Sequence, residues 1–132
     1  MMRVTLGIGC DRNVSLLTLQ EAVAHALAQA GLTHKNIAAC ASIDKKSDET
    51  ALLQLCEQQS WPLQFYSAEQ LSQVEVPNPS ETVRKYMGTP AVAEAAALLA
   101  AQADMKALIV EKFKHRGADG KNATVSIARL AP

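Results

Sequence analysis

Charged side chains that could act as acids and bases cluster in residues 44–49. This segment holds three carboxylates and two lysines, and its first residue, Asp44, directly follows an apolar run. A carboxylate that is partly desolvated at such a place can act as a general base. We therefore predict Asp44 as a candidate general base. The alternative interpretation is a solvated helix start, which accounts well for Asp48 and Glu49.

A second polar segment follows the first apolar run of the chain. Gly7 and Gly9 leave the backbone accessible to a ligand there, because no Cβ stands in the way. Cys10 precedes a helical pattern that begins near Ser15, and both anion binding and a lowered thiol pKa are typical of a helix start. Cys10 is therefore a candidate nucleophile. The alternatives are a tight turn for the glycines and a space-filling side chain for the cysteine.

The same segment argues against a nicotinamide cofactor. Residues 10–13 supply no third glycine for the dinucleotide-binding fingerprint. We therefore predict no nicotinamide cofactor, and the chain gives no sign of another cofactor.

A basic tract lies between residues 112 and 122. Its cations outnumber its single carboxylate in a chain whose formal net charge is zero, so the tract should attract anions. The residues concerned are Lys112, Lys114, Arg116 and Lys121. Gly117 and Gly120 predict that the whole tract is a flexible hairpin loop, which would close over a bound ligand and make the last strand antiparallel. The alternative is a loop that only increases solubility.

Short apolar strands that alternate with amphipathic helices must position these groups. The hydrophobic periodicity predicts strands at 4–8, 37–43, 63–66, 107–110 and 123–130. Helices are predicted from about 15, from 47 or 48, from 68 behind a Ser67–Gln70 capping box, through 83–86, and from Pro90 with Thr89 as its cap.

This order of elements predicts a single α/β domain over residues 1–132. We expect a three-layer α/β/α sandwich with a mostly parallel sheet and an antiparallel C-terminal strand. Ligands bind outside the carboxyl ends of the strands in such sheets. The turn at Gly9 and Cys10 and the loop from Asp44 to Glu49 should therefore line one cleft.

Composition argues against several classes of protein. The balanced charge and a sequence pI of about 6.8 argue against a nucleic-acid partner. The three cysteines have no C-x-x-C spacing and the histidines no metal-ligand spacing, which indicates neither a disulfide framework nor a metal site. The apolar stretch 91–101 is too short to span a membrane, and no signal-peptide hydrophobic region precedes the first strand. We expect a cytoplasmic protein.

Four separated segments carry a resemblance to a known family. They are Gly7-Ile8-Gly9-Cys10 with Arg12 and Ser15; residues 41–49; Asn78-Pro79-Ser80 with Gly88 and residues 92–97; and Lys112 with residues 122–129. Together they resemble the family formed by the C-terminal domain of CbiG and by CobE, both of cobalamin (vitamin B12) biosynthesis. The segments come in the family's order and cover essentially the whole chain. One departure is Cys10-Asp11-Arg12-Asn13, where family members often have Cys-Arg-Arg-Gly.

The resemblance implies an α/β domain that acts on a precorrin or cobalt-precorrin, with other cobalamin-pathway enzymes as candidate partners. In the two-domain relatives the enzyme opens the δ-lactone of cobalt-precorrin-5A and releases acetaldehyde. This chain looks like the single-domain form. Precorrins are broad apolar macrocycles fringed with carboxylates, and we expect the ligand-binding residues to be Gly7, Gly9, Lys45, Asn78, Ser80, Lys112, Lys114, Arg116, Lys121 and Asn122.

Two functions stay open at this point. The first is a hydrolase of a corrin-ring lactone, in which Asp44 or Glu49 activates water and Lys45 or backbone amides stabilise the oxyanion. The second is a non-catalytic module that binds or delivers a precorrin. Turnover discriminates between them, because a binding module shifts the absorption spectrum of the tetrapyrrole without opening a lactone or releasing acetaldehyde.

Overall fold

A five-stranded sheet forms the centre of the computed structural model, which describes residues 2–131. The strands are β1 (Val4–Cys10), β2 (Ile37–Ile43), β3 (Leu63–Tyr66), β4 (Leu108–Arg116) and β5 (Asn122–Arg129). Their spatial order is β3-β2-β1-β5-β4, and β5 is antiparallel to both of its neighbours. The other four strands therefore point the same way, which confirms a mostly parallel sheet with an antiparallel last strand.

Residues 2–131 contain five α-helices, which connect or cover the strands. They are α1 (Leu16–Ala30), α2 (Thr50–Gln59), α3 (Ala68–Ser72), α4 (Glu81–Met87) and α5 (Ala93–Ala101). The predicted Ser67–Gln70 capping box is present at the start of α3, and Ser15 caps α1 by accepting a hydrogen bond from the Thr18 amide. Within residues 2–131, no helix has the length and apolar character that crossing a bilayer requires.

The two faces of β1 show why the sheet lies between two helical layers. Val4, Leu6 and Ile8 are fully buried and belong to one core with α1 and α2. The alternate residues of β1 face α5, because side chains alternate across a strand. There the Thr5 hydroxyl donates to the Ala97 carbonyl at 2.7 Å, and a Cβ on Gly7 would overlap the Ala93 carbonyl oxygen. The absence of a side chain at position 7 is what lets α5 pack directly on the sheet.

The predicted start of the alanine-rich helix at Pro90 is wrong, because α5 begins at Ala93. The Pro90 carbonyl accepts a hydrogen bond from the Ser80 amide at 2.9 Å instead of starting a helical ladder. Thr89 is buried, and its hydroxyl bonds to the Ala91 carbonyl rather than capping the helix. Residues 90–92 are therefore left as irregular backbone.

Two further segments differ most from the predictions. Asp44–Lys46 form a 3-10 turn, and α2 begins at Thr50 rather than at 47 or 48. The basic tract is not one loop, because Leu108–Arg116 continue as β4 and pair with β5 as far as Asn122. These pairs place the hairpin turn at residues 117–121.

Candidate functional site

A cleft of about 180 Å³ lies at the carboxyl ends of β1 and β2, on the face of the sheet that α5 covers. Its apolar wall consists of Ile43, Val83, Met87, Pro90, Ala91 and Val92. Its polar lining consists of Cys10, Asp11, Lys46, Ser80, Glu94, Lys112, Lys114, Asn122 and Thr124. The position matches the rule that ligands of parallel sheets bind outside the strand carboxyl ends.

Lys46 is a largely buried lysine in the lining of this cleft. Lys46 is only 4% exposed, and its side chain forms no ion pair with any described residue. A buried cation without a counter-charge is costly, so the site favours an anion. The sequence predicted its neighbour Lys45 as a ligand-binding residue. Lys45 is exposed and does not line the cleft, and its Nζ donates to the Tyr86 carbonyl at 3.5 Å.

Glu94, at the start of α5, and Lys112, within β4, form a partly buried ion pair in the lining of the same cleft. Lys112 Nζ lies 3.0 Å from Glu94 Oε2 and also donates to the Asn78 carbonyl at 3.3 Å. The side chain of Glu94 is 4% exposed. Lys112 is therefore the partner of the buried Glu94 Oε2, which has no other polar partner among residues 2–131.

Cys10 lines the cleft, but its surroundings oppose the predicted activation. Burial raises the pKa of the thiol to about 11, and the nearby positive charge of Lys46 only partly offsets that effect. The expectation of a lowered thiol pKa is therefore wrong. The thiol is protonated at neutral pH, which argues against Cys10 as a nucleophile.

The predicted acid–base residues of the 44–49 loop lie outside the cleft lining. Asp44 is exposed, whereas Glu49 is 3% exposed. Glu49 accepts from the Arg12 guanidinium at 2.8 Å and from the Asn13 amide at 2.7 Å. Its two oxygens thus connect the turn after β1 to the loop after β2, which is a structural task.

Arg12 forms further hydrogen bonds to the 44–49 loop. It bonds Asp48 at 2.7 Å and the Lys45 carbonyl at 2.7 Å. The hydrogen bond with Arg12 lowers the pKa of the Asp48 carboxyl. These contacts hold the turn and the loop together. The residues of the turn and the loop that line the cleft are Gly9, Cys10, Asp11 and Lys46.

The remaining predicted ligand-binding residues divide between the cleft and its surroundings. Lys112, Lys114, Ser80, Asn122 and Gly9 line the cleft, whereas Gly7, Asn78, Arg116 and Lys121 do not. Several of the lining groups already have partners within the protein. The Ser80 hydroxyl caps α4, and Asn122 donates from both its nitrogens to Asp11.

The turn at residues 117–121 is fixed to the start of α1. The Asp119 carboxylate accepts from the Ser15 amide, the Thr18 hydroxyl and the Lys121 amide at 2.8–3.0 Å. These hydrogen bonds lower the pKa of Asp119 to about 2. The turn thus points toward α1 rather than over the cleft.

Sequence analysis missed Lys46 and Glu94 as site residues. A signal for Glu94 was present, because it is the one carboxylate within the apolar stretch 91–101. Lys46 gave no such signal, since the sequence does not distinguish it from Lys45. As for metal ligands, no group of three or more His, Cys, Asp or Glu side chains in residues 2–131 is arranged to hold an ion.

Comparison with known proteins gives consistent matches. The family described as cobalamin synthesis G C-terminus matches residues 4–128. A cobalt-precorrin-5A hydrolase of Priestia megaterium is 31% identical over 127 residues, which are 96% of this chain and 32% of the hydrolase. Protein CobE of a Sinorhizobium species is 35% identical over 112 residues, which are 83% of this chain and 72% of CobE.

A solved structure agrees with these sequence matches. The crystal structure of CobE, a protein from the cobalamin (vitamin B12) biosynthetic pathway, superposes with a TM-score of 0.83 at 33% identity. The match covers 98% of this chain and 92% of that chain. The present chain therefore spans about a third of the hydrolase but most of CobE.

Proposed function

This chain belongs to the cobalamin synthesis G C-terminus family, and we propose that its cleft binds one carboxylate arm of a precorrin-type tetrapyrrole. The observation that carries the proposal is Lys46, a buried cation that lines the cleft and has no ion-pair partner among the described residues. An ionised acid group of a ligand would supply the missing counter-charge.

The size of the cleft favours an arm rather than the ring. An engineered cavity of about 150 Å³ in another protein holds one benzene molecule. A cleft of about 180 Å³ is therefore suited to a single acetate or propionate substituent. The macrocycle would stay outside, against the exposed surface near the mouth.

The charges around the cleft favour an anion. Lys46, Lys112 and Lys114 line it, against the carboxylates of Glu94 and Asp11. Asp11 is engaged by Asn122, and Glu94 is balanced by Lys112. Lys46 and Lys114 remain to attract an acid group, with the buried Lys46 expected to contribute most because it is least screened by solvent.

The binding proposal can be tested with two stable corrinoids that share one ring and differ in whether their arms are ionised acids or neutral methyl esters. Dicyanocobyrinic acid carries ionised arms, whereas all its arms are neutral in its heptamethyl ester. We expect the acid to bind and to shift its absorption spectrum, and the ester to bind at least tenfold more weakly, because a charge-assisted contact contributes about 1.5–3 kcal/mol. Equal affinity for both probes would contradict recognition of the carboxylate.

Variants of lysine residues identify the part of the protein that recognises the acid. Lys46→Met should weaken binding of dicyanocobyrinic acid by about tenfold or more. Lys106→Met is the matched control, since Lys106 is exposed in the turn before β4, at the opposite end of the strands. Equal losses for both variants would indicate unspecific attraction to the surface.

A second candidate function is hydrolysis of a precorrin lactone. The hydrolase relative bears the name of this activity, and the cleft contains both a buried carboxylate, Glu94, and a buried cation, Lys46. In that case Lys46 would stabilise the oxyanion that forms when water attacks the lactone carbonyl. The protonated thiol of Cys10 makes a covalent route less favourable than direct attack by water.

Turnover separates hydrolysis from binding or delivery alone. Purified protein is incubated with cobalt-precorrin-5A, and the mixture is analysed by mass spectrometry and for acetaldehyde. A hydrolase gives the opened ring and releases acetaldehyde, whereas a binding or delivery module gives only the spectral shift. Lys106→Met again serves as the control, and Lys46→Met should lower the rate if Lys46 stabilises the oxyanion.

A further inference from the structure

We infer that Asp119 is a positioning residue, which holds Lys114 at the cleft by fixing the end of the β4–β5 hairpin to the start of α1. This inference rests on the proposed binding of a carboxylate arm and goes beyond it, because Asp119 does not line the cleft itself. It begins from a contrast at Asp119, which is an exposed residue and yet accepts three hydrogen bonds from the protein.

The strand that carries Lys114 has little support from the sheet. β4 lies at the edge, and within residues 2–131 its neighbouring strand is β5 alone. The register of this pair shifts between Leu108 and Val110 and again between Val110 and Phe113, so uninterrupted pairing covers only Phe113–Arg116. A short, one-sided ladder holds a strand weakly. The position of Lys114 therefore depends on how the adjacent turn is fixed.

Asp119 joins that turn to α1. One carboxylate oxygen accepts from the Ser15 amide at 2.8 Å, and the other accepts from the Thr18 hydroxyl at 2.9 Å and from the Lys121 amide at 3.0 Å. The hydrogen bond from Lys121, together with those from Ser15 and Thr18, lowers the pKa of Asp119 to about 2. The carboxylate thus stays ionised at neutral pH, and hydrogen bonds to an ionised acceptor are the stronger kind.

The turn also packs directly on the helix. A Cβ on Gly117 would overlap the hydroxyl oxygen of Thr18, which is itself buried. The Gly117 amide donates to the Lys121 carbonyl at 2.9 Å and closes the turn. The turn and the first turn of α1 therefore fit together closely, and the carboxylate of Asp119 fixes them in this arrangement.

The path from Asp119 to the cleft is short. Lys114 pairs with Thr124 in the regular part of the hairpin, and both residues line the cleft. Without the anchor the end of β4 would become mobile. A mobile lysine has to be ordered when a ligand binds, and this ordering costs free energy that a fixed lysine does not lose. Asp119 should therefore change affinity through Lys114 and without touching the ligand.

A double-mutant cycle tests whether Asp119 acts through Lys114. Asp119→Ala should weaken binding of dicyanocobyrinic acid by about two- to fivefold at low ionic strength, because an exposed cation contributes no more than that. In protein that already carries Lys114→Met, Asp119→Ala should cause no further loss. Absorption titrations give the affinities, at a temperature at which unfolding curves show every variant to be folded.

Asp104→Ala is the matched control. Asp104 accepts from the Lys106 amide at 2.9 Å in the turn before β4, just as Asp119 accepts from the amide two residues further along the chain. This variant should bind as the unaltered protein does. Should Asp119→Ala fail to fold, Asp119→Asn replaces it. Its amide keeps one acceptor oxygen, so the loss should be smaller and should again disappear beside Lys114→Met.

The outcomes distinguish this inference from the proposal on which it rests. Unchanged affinity after substitution of Asp119 overturns the inference and leaves the carboxylate site standing. Losses from Asp119→Ala and Lys114→Met that multiply also overturn it, because Asp119 would then act independently of Lys114. An equal loss in Asp104→Ala overturns it too. Failure of the unaltered protein to bind dicyanocobyrinic acid overturns the proposed function and the inference together.

Discussion

Lys46 and Glu49 lie three residues apart in the same loop, and both are almost fully buried, yet they meet opposite surroundings. Glu49 receives hydrogen bonds on both oxygens, from Arg12 and Asn13. Lys46 enters the cleft without an ion-pair partner among the described residues. A buried charge that the fold satisfies indicates structure, whereas one that it leaves unsatisfied indicates a ligand.

Gly7 and Gly9, both on β1, also contrast a structural position with a position at the cleft. The space above Gly7 is filled by the backbone of α5, so the missing side chain serves packing. The space above Gly9 opens into the cleft, with Val92 as the nearest side chain at 3.7 Å from an ideal Cβ. Two glycines that look alike in the sequence thus have different surroundings.

The largest expected effect separates these glycines. Gly7→Ala should destabilise the protein by about 3 kcal/mol or more, because the new Cβ overlaps the Ala93 carbonyl oxygen and α5 must move. Gly9→Ala should change stability by no more than about 1 kcal/mol. Urea unfolding of both variants measures the difference. Similar unfolding midpoints would contradict the conclusion that only Gly7 is required for packing.

A larger side chain at position 9 provides the matching test of binding. Gly9→Val should narrow the cleft and weaken binding of dicyanocobyrinic acid. Cys56→Ser is the control, since Cys56 is buried in the other core and distant from the cleft lining. Both variants are compared at a temperature at which unfolding curves show them to be folded. Weaker binding by Cys56→Ser than by Gly9→Val would contradict the assignment.

An intermediate effect should separate Lys46 from Glu49 when the same residue replaces each. Glu49→Met should cost about 2–3 kcal/mol of stability, because the Asn13 amide and one Arg12 contact lose their acceptor, while affinity for the acid should stay within about twofold. Lys46→Met should leave stability unchanged or raise it by about 1 kcal/mol while affinity falls. Denaturant titrations and absorption titrations give the two readouts. Equal losses of stability would show that Lys46, too, is structural.

The smallest effect concerns the rim of the cleft. Lys114 and Arg116 lie two residues apart on β4 and are both exposed, but only Lys114 lines the cleft. Lys114→Met should weaken binding by about fivefold or less at low ionic strength, since exposed charges contribute about 1 kcal/mol or less, and the effect should shrink in high salt. Arg116→Met should bind as the unaltered protein does at both ionic strengths. A salt-independent loss for Lys114→Met would contradict an electrostatic role.

Local patterns were sufficient to predict much of the framework. The bounds of β2 and β3, the Ser67 cap and the direction of the last strand follow from hydrophobic periodicity and short-range turn and capping chemistry. The predictions failed where the start of a helix depends on a residue that is distant in sequence. Pro90 and Thr89 form a good helix start by themselves, but the Pro90 carbonyl is used by the Ser80 amide.

The site was harder to predict for the same reason. In the sequence alone, Glu49 is a candidate base. Its carboxylate instead accepts hydrogen bonds from Arg12 and Asn13, which are more than thirty residues away in sequence. The choice between Lys45 and Lys46 depends on the 3-10 turn, which directs one side chain inward and the other outward. The local sequence indicates neither the partners of Glu49 nor which of the two lysines is buried.

The interior position of β5 has a consequence for how the chain acquires its structure. β5 lies between β1 and β4, and the register joins Val4 to Arg129. A nascent chain therefore cannot close its sheet until the segment up to Arg129 has left the ribosome, and until then β1 and β4 present unpaired edges. Pairing elements so far apart in sequence carries a large loop-closure entropy, so sheet closure should be the slow step of folding rather than formation of the helices.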